Sequence, residues 1–191
     1  MDPQAEELVH PAGIADWHRW LAAHHGRGRG VWVVSWRRGS GHTPVPYEDL
    51  VCEALCWGWI DSRTRTLDDQ RAAMWFAPRS ARSTWVRSNR ERVERLEAQG
   101  RMQPAGAAAV AAARADGRWD LLRDAEDGVE DPLLTAALDA EPAARAGWDA
   151  ATPAARARAL IDLALARTGP TREKRIAGIV AACRQGRSPA P

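Results

Sequence analysis

Apolar positions along this chain change their spacing part of the way through, and the change divides it into a mixed first part and a helical second part. Trp17, Trp20 and Leu21 recur at i, i+3 and i+4, which predicts one apolar helical face ending before the glycine- and arginine-rich residues 26–30. Residues 31–36, VWVVSW, alternate instead, with Trp32, Val34 and Trp36 opposed to Val31, Val33 and Ser35. β-branched and aromatic residues in that order predict a strand with a heavy aromatic face. Gly and Pro punctuate residues 38–46 as a loop. Residues 47–57 then read as a helix that buries Leu50, Val51 and Leu55. After Gly58, WIDSRTRTL and AAMWFAP predict two short strands, with DDQR or its neighbours as the turn between them.

Helical signals take over from residue 88. Ser88 followed by Glu91 predicts a capping box, in which each side chain satisfies a backbone N–H at the helix start, and Gly100 is a natural stop. Residues 104–119 open with Pro104 and are rich in alanine, the strongest helix former. The acidic break EDGVEDP, residues 126–132, is the best boundary signal, and four further helical segments follow it. Leu160, Ile161, Leu163 and Leu165, then Ile176, Ile179, Val180 and Cys183, supply the buried stripes. No repeat of fixed period occurs, which argues against a solenoid. The expected fold class is α+β: a small N-terminal strand set packed with helices, residues 1–124, followed by an α-helical extension packed on it, residues 125–191.

Length and charge exclude several classes. A chain of 191 residues can bury a real core, and a formal net charge of +2 does not mark an obligate polyanion binder. No apolar run reaches the length needed to cross a bilayer, so no membrane insertion is expected. The start, MDPQAEELVHPAG, has neither the basic residues nor the apolar stretch of a signal peptide, and cytoplasm is the expected location. Cys52, Cys56 and Cys183 are odd in number, which argues against a disulfide framework. Cys52 and Cys56 lie one helical turn apart and read as buried, reduced core residues; nothing stands at a spacing that completes a zinc site, so no metal is expected.

Candidate chemistry concentrates between Glu53 and Trp85. Eight of the ten tryptophans precede residue 86, and Trp57, Trp59, Trp75 and Trp85 fall within this run. Tryptophan offers a large apolar face with one N–H that needs a partner, so a cluster serves a core or a binding surface equally well. Ten arginines against five acids occupy residues 63–101. Arginine forks take carboxylate and phosphate bidentately and stack on aromatic faces. For the arginines of residues 90–95 the plain reading is a solvated helix face with pairs such as Glu91–Arg95. Arg79 differs: it follows a proline at a strand end, where a side chain points into a mouth. Asp61, between tryptophans and arginines, is the best single acid, either fixing Arg63 or Arg79 or serving as a general acid or base. His18 and His24 show no ligand spacing with a carboxylate, and His24-His25 at a helix end suits the helix dipole. The loop GRGRG, residues 26–30, lacks the strand, lysine and hydroxyl of a phosphate-binding loop.

Read in order, VWVVSWRRGSG, EALCWGWIDS, WFAPR, STWVRSN and GRMQPAG resemble the bacterial YdeI/OmpD-associated, or bacteriocin-protection, family, closely over residues 8–120 and more loosely at the tail TREKRIAGIV. Cys56, Gly58, Trp59, Asp61, Arg79, Ser83, Trp85 and Asn89 occupy that family's motif positions. The chain departs from the pattern in having Trp57 in place of Phe and Val86 in place of Ser, which adds indole surface and removes polar groups. The resemblance implies a protein linked to survival of antimicrobial peptides or toxins. The expectation is therefore a cytoplasmic protective or accessory protein, without cofactor. It would bind a small aromatic or anionic compound through Trp57, Trp59, Arg79, Ser83, Trp85 and Asn89. One alternative is a small cofactor-independent enzyme using acid–base chemistry at Asp61. Another is a nucleic-acid-binding module, which the interleaved acids disfavour because a binder lays its arginines along one exposed stripe. If the pocket exists, Trp59, Trp75 and Trp85 must lie in contact with one another.

Overall fold

A computed structural model describes residues 7–190 and divides the chain into two compact units. The first comprises the described residues up to Ser83 together with Ser88–Gly117; the second comprises Thr84–Arg87 and the residues from Arg118 onward. The division thus falls at residues 117/118, ahead of the 124/125 boundary read from the acidic break. Trp119 and Leu122, which precede that break, are both buried, and Trp119 packs against Trp85, the two rings 5.0 Å apart within the second unit.

In the first unit the order is β1 (Leu8–Val9), α1 (Ile14–His24), β2 (Val31–Trp36), α2 (Tyr47–Cys56), β3 (Trp59–Thr66), β4 (Arg71–Pro78), α3 (Arg87–Ala98) and α4 (Pro104–Ala115). The four strands form one sheet in the order β1-β2-β4-β3, with β1 parallel to β2 and the other pairs antiparallel. Strand β1 carries no local signal, since its two residues pair in parallel with a strand far along the chain. The α+β expectation holds.

Residues directly opposite across antiparallel strands share a face. Val31 pairs with Phe76 and Trp59 with Pro78, so these side chains face α1 and α2. Trp17 of α1 meets Phe76 at 5.3 Å between rings and donates its indole N–H to the Leu50 carbonyl of α2. Trp32 pairs with Trp75 on the opposite face. A register shift between Asp61 and Thr64 bends β3. Helix α4 approaches the end of α2 closely: a Cβ at Gly106 would collide with the Cys56 carbonyl, so only glycine fits there.

Helix α3 begins at Arg87, one residue ahead of the expected Ser88 cap, so Ser88 lies inside the first turn and the capping box does not form. The Arg87 backbone N–H instead donates to Glu126 within the second unit. That unit holds α5 (Arg123–Glu126), α6 (Pro132–Asp139), α7 (Pro142–Ala150), α8 (Pro153–Ala164) and α9 (Gly169–Arg184). Asp131, Thr152 and Thr168 cap α6, α8 and α9 through their side-chain oxygens. Leu134, Leu138, Trp148, Leu160, Leu163, Ile176 and Ile179 form its core. Among the described residues, no helix is long and apolar enough to cross a membrane.

Candidate functional site

The residues singled out from the sequence do not converge on one place. Trp59 is fully buried, its indole N–H held by the His25 carbonyl at 2.9 Å. Trp75 lies on the other face of the sheet, where its ring meets Trp32 edge-on at 5.4 Å. Trp85 is buried in the second unit against Trp119. The expected contact of Trp59 with Trp75 does not form, because the two-residue period of a strand sends them to opposite faces; Trp85 belongs to the second unit. Ser83 closes a small turn with Ser80, hydroxyl to hydroxyl at 3.1 Å. Asn89 is buried and accepts from the Arg92 guanidinium at 2.9 Å.

Asp61 of β3 pairs with Phe76 of β4 on the helix-facing side of the sheet and accepts from the Tyr47 hydroxyl at 3.0 Å. Burial, reinforced by the Asp61 charge, raises the Tyr47 pKa above the usual tyrosine value. Arg79 is nearby. Burial brings its pKa down to about 10, with the attraction of Asp61 working against the shift.

Arg63 and Arg65 lie over the second face of the sheet. Arg65 stacks on Trp32 at 4.1 Å, and Arg63 stands 5.2 Å from Trp32 and 5.0 Å from Trp75. These cation–π contacts account for the arginine–tryptophan juxtaposition seen in the sequence.

Residues 90–95 form the solvated face the sequence suggests only at Glu91, Glu94 and Arg95. Arg90 is buried, and Arg92 and Arg95 both turn to Glu48 of α2, at 2.8 and 2.7 Å. Hydrogen bonding from Arg92, aided by Arg95, holds the Glu48 carboxyl at about 2. Cys52, between Glu48 and Arg95, and Cys56 are reduced and buried. Desolvation raises both thiols, Cys56 to about 11, which leaves them protonated and unreactive at neutral pH.

A second acid of α2 organises a site that the sequence reading missed. Glu53 is buried, at 6% exposure. Its Oε1 accepts from the Trp57 indole N–H at 3.1 Å and lies 2.7 Å from His18 Nδ1 of α1. Its Oε2 accepts from Arg101 at 3.3 Å. The Trp57 ring is half-buried and flanked by two imidazoles, His18 at 5.8 Å and His25 at 4.7 Å between centroids. A buried carboxylate costs several kcal/mol unless paired, and here three donors from α1, the end of α2 and the turn after α3 converge on it. The result is an aromatic face rimmed by imidazole and guanidinium. Trp57 alone among the expected site residues belongs to it. His18 gave no signal because its carboxylate lies on another helix, 35 residues away.

The second unit contains a cavity of about 360 Å³ lined by Leu121, Val129, Leu160 and Leu163 with Glu130, Asp131 and Arg172. Two of its acids are engaged: Glu130 holds Arg145 and the Trp148 indole N–H at 2.8 Å, and Asp131 caps α6 and pairs with Arg172. Among the described residues, no three His, Cys, Asp or Glu side chains are grouped to hold a metal ion.

Two family models match. Residues 9–109 match the model described as Domain of unknown function (DUF8412), and residues 129–186 match Bacteriocin-protection, YdeI or OmpD-Associated. The second is the family the motifs resemble, but its match covers the C-terminal helices, while the motif-bearing strands and helices fall largely within the first. No curated protein and no solved structure matches the chain.

Proposed function

The chain belongs to the family described as Domain of unknown function (DUF8412) and ends in a segment of the bacteriocin-protection type, and from that premise we propose a cytoplasmic protective factor that holds a small aromatic or anionic compound at Trp57. One observation carries the reading. Trp57 keeps part of its ring open while Glu53 fixes its N–H, and His18, His25 and Arg101 ring the same edge. An indole held by a buried partner loses little freedom when a ligand stacks on it, which favours binding through lower ordering cost. The guanidinium adds a partner for carboxylate or phosphate. Trp59, being buried with its N–H on the His25 carbonyl, supports the site's surroundings rather than touches a ligand. Nucleic acid is the weaker partner: Arg92, Arg95, Arg101 and Arg114 are each paired with a glutamate, which removes the continuous basic stripe that phosphates require.

Titration of the protein with a panel of aromatic acids and antimicrobial compounds tests the reading through intrinsic fluorescence. At least one class should quench saturably, and Trp57→Phe should remove the ligand-sensitive part of the emission. Arg101→Ala should weaken binding of the anionic members by roughly tenfold, the scale of a lost charge-assisted contact. Cells expressing the protein should outlive controls under the matching compound. A panel with no saturable member, or survival unchanged by Trp57→Ala, removes the proposal.

A further inference from the structure

Glu53 does more at this edge than keep an indole in place. Trp57 Nε1 and the Arg101 guanidinium are donors only, so both oxygens of Glu53 act as acceptors toward them. The remaining close neighbour, His18 Nδ1 at 2.7 Å, must then carry the shared proton as N–H. In the neutral ring this leaves the lone pair on Nε2. The His18 side chain is 49% exposed while that of Glu53 is 8% exposed, so a buried carboxylate backs an imidazole that solvent can reach. A carboxylate that fixes the tautomer of a histidine, with the second nitrogen open, is the arrangement by which proteins build a general base.

A surface ion pair would not need this geometry. An exposed pair is worth little, whereas burying the carboxylate is costly, and Trp57 and Arg101 already supply one donor to each of its oxygens. The third donor brings an imidazole beside an open aromatic face.

We propose that His18 Nε2 is a general base for hydrolysis of small acyl compounds carrying an aromatic group, with Glu53 as its positioning residue and Trp57 as the stacking surface. The water oxygen forms a new bond to the acyl carbon as Nε2 takes one of its protons. The carbon–oxygen bond to the leaving group breaks, and that group departs with the electron pair. The imidazolium then returns its proton to solvent while Nδ1–H stays on Glu53. This goes beyond a binding role. A protein that stacks compounds on Trp57 without reacting, and one that reacts without retaining any compound, give different results in the two experiments.

The probe is p-nitrophenyl acetate, followed by release of p-nitrophenolate from the whole protein. Its rate should exceed that of free imidazole at the same concentration by about tenfold or more, within the range a positioned acid–base group supplies. His18→Asn should lower the rate to the imidazole level, and His42→Asn, altering an exposed ring that stacks on Trp36 away from this edge, should leave it unchanged. Nitrogen-detected NMR of the unaltered protein provides a reading independent of any variant: above neutral pH, His18 should carry its proton on Nδ1. Glu53→Gln should reduce both that population and the rate, whereas loss of packing alone would leave the tautomer untouched. A rate no greater than imidazole, a rate that follows His42, or an Nε2-protonated His18 overturns the proposal.

Discussion

Glu48 and Glu53 stand on the same helix and meet opposite conditions. Glu48 is half in solvent, and hydrogen bonds from Arg92 and Arg95 hold its carboxyl at about 2, against the ordinary glutamate value of 4.5. Its folded-state pKa is depressed, so the stabilisation it gives is fully present above its unfolded value and is lost as pH falls through the window from about 4.5 to about 2. Solvent screening keeps the effect modest. Thermal melting at pH 7, 4 and 2 should show a smaller acid loss for Glu48→Gln than for the unaltered protein; equal losses would mean that the arginines contribute nothing to folding. Glu53, by contrast, is buried and saturated. Neither role was legible in the sequence, because Arg92 and Arg101 lie 44 and 48 residues from the acids they hold. Spacing rules reach one or two helical turns, so Glu91–Arg95 was the visible pairing and Glu48–Arg95 the real one.

Whole elements were easier to read than partners. Prolines at the first turn and cap residues at Asp131, Thr152 and Thr168 mark helix starts locally, and alternation marks β2. What local pattern could not give was the assignment of strand faces to layers, and with it the separation of Trp59 from Trp75. Glycines within helices show the same limit. Gly147 of α7 and Gly178 of α9 look alike in sequence, yet a Cβ at Gly147 would strike the Cys183 carbonyl and one at Gly178 would meet open space. Alanine should therefore act in opposite directions. Gly147→Ala should destabilise by about 1–3 kcal/mol through forced separation of α7 and α9. Gly178→Ala should stabilise by up to about 1 kcal/mol through helix propensity. Denaturant unfolding of both variants checks the pair; matching signs would mean that the approach of α7 to α9 is not tight.

At the scale of the molecule the chain is two compact units, and the second owns four residues that lie inside the sequence of the first. Trp85 is 2% exposed and packs on Trp119, so Trp85→Ala should cost the second unit about 3–5 kcal/mol, the range for truncating a buried tryptophan. Hydrogen exchange in α6–α9 reads this out directly; protection equal to that of the unaltered protein would show that Trp85 is a passive filler.

The early position of Trp85 also sets an order of events during synthesis. The ribosome makes this indole well before its partner Trp119, and at roughly 5–20 residues per second the side chain waits a few seconds with no mate. Throughout that interval the nascent chain presents an apolar anchor between strands that can already pair and helices not yet translated. A chaperone or a slow codon stretch placed there would change the yield of folded protein without touching the finished structure, whereas the same intervention after residue 119 would find the anchor already seated.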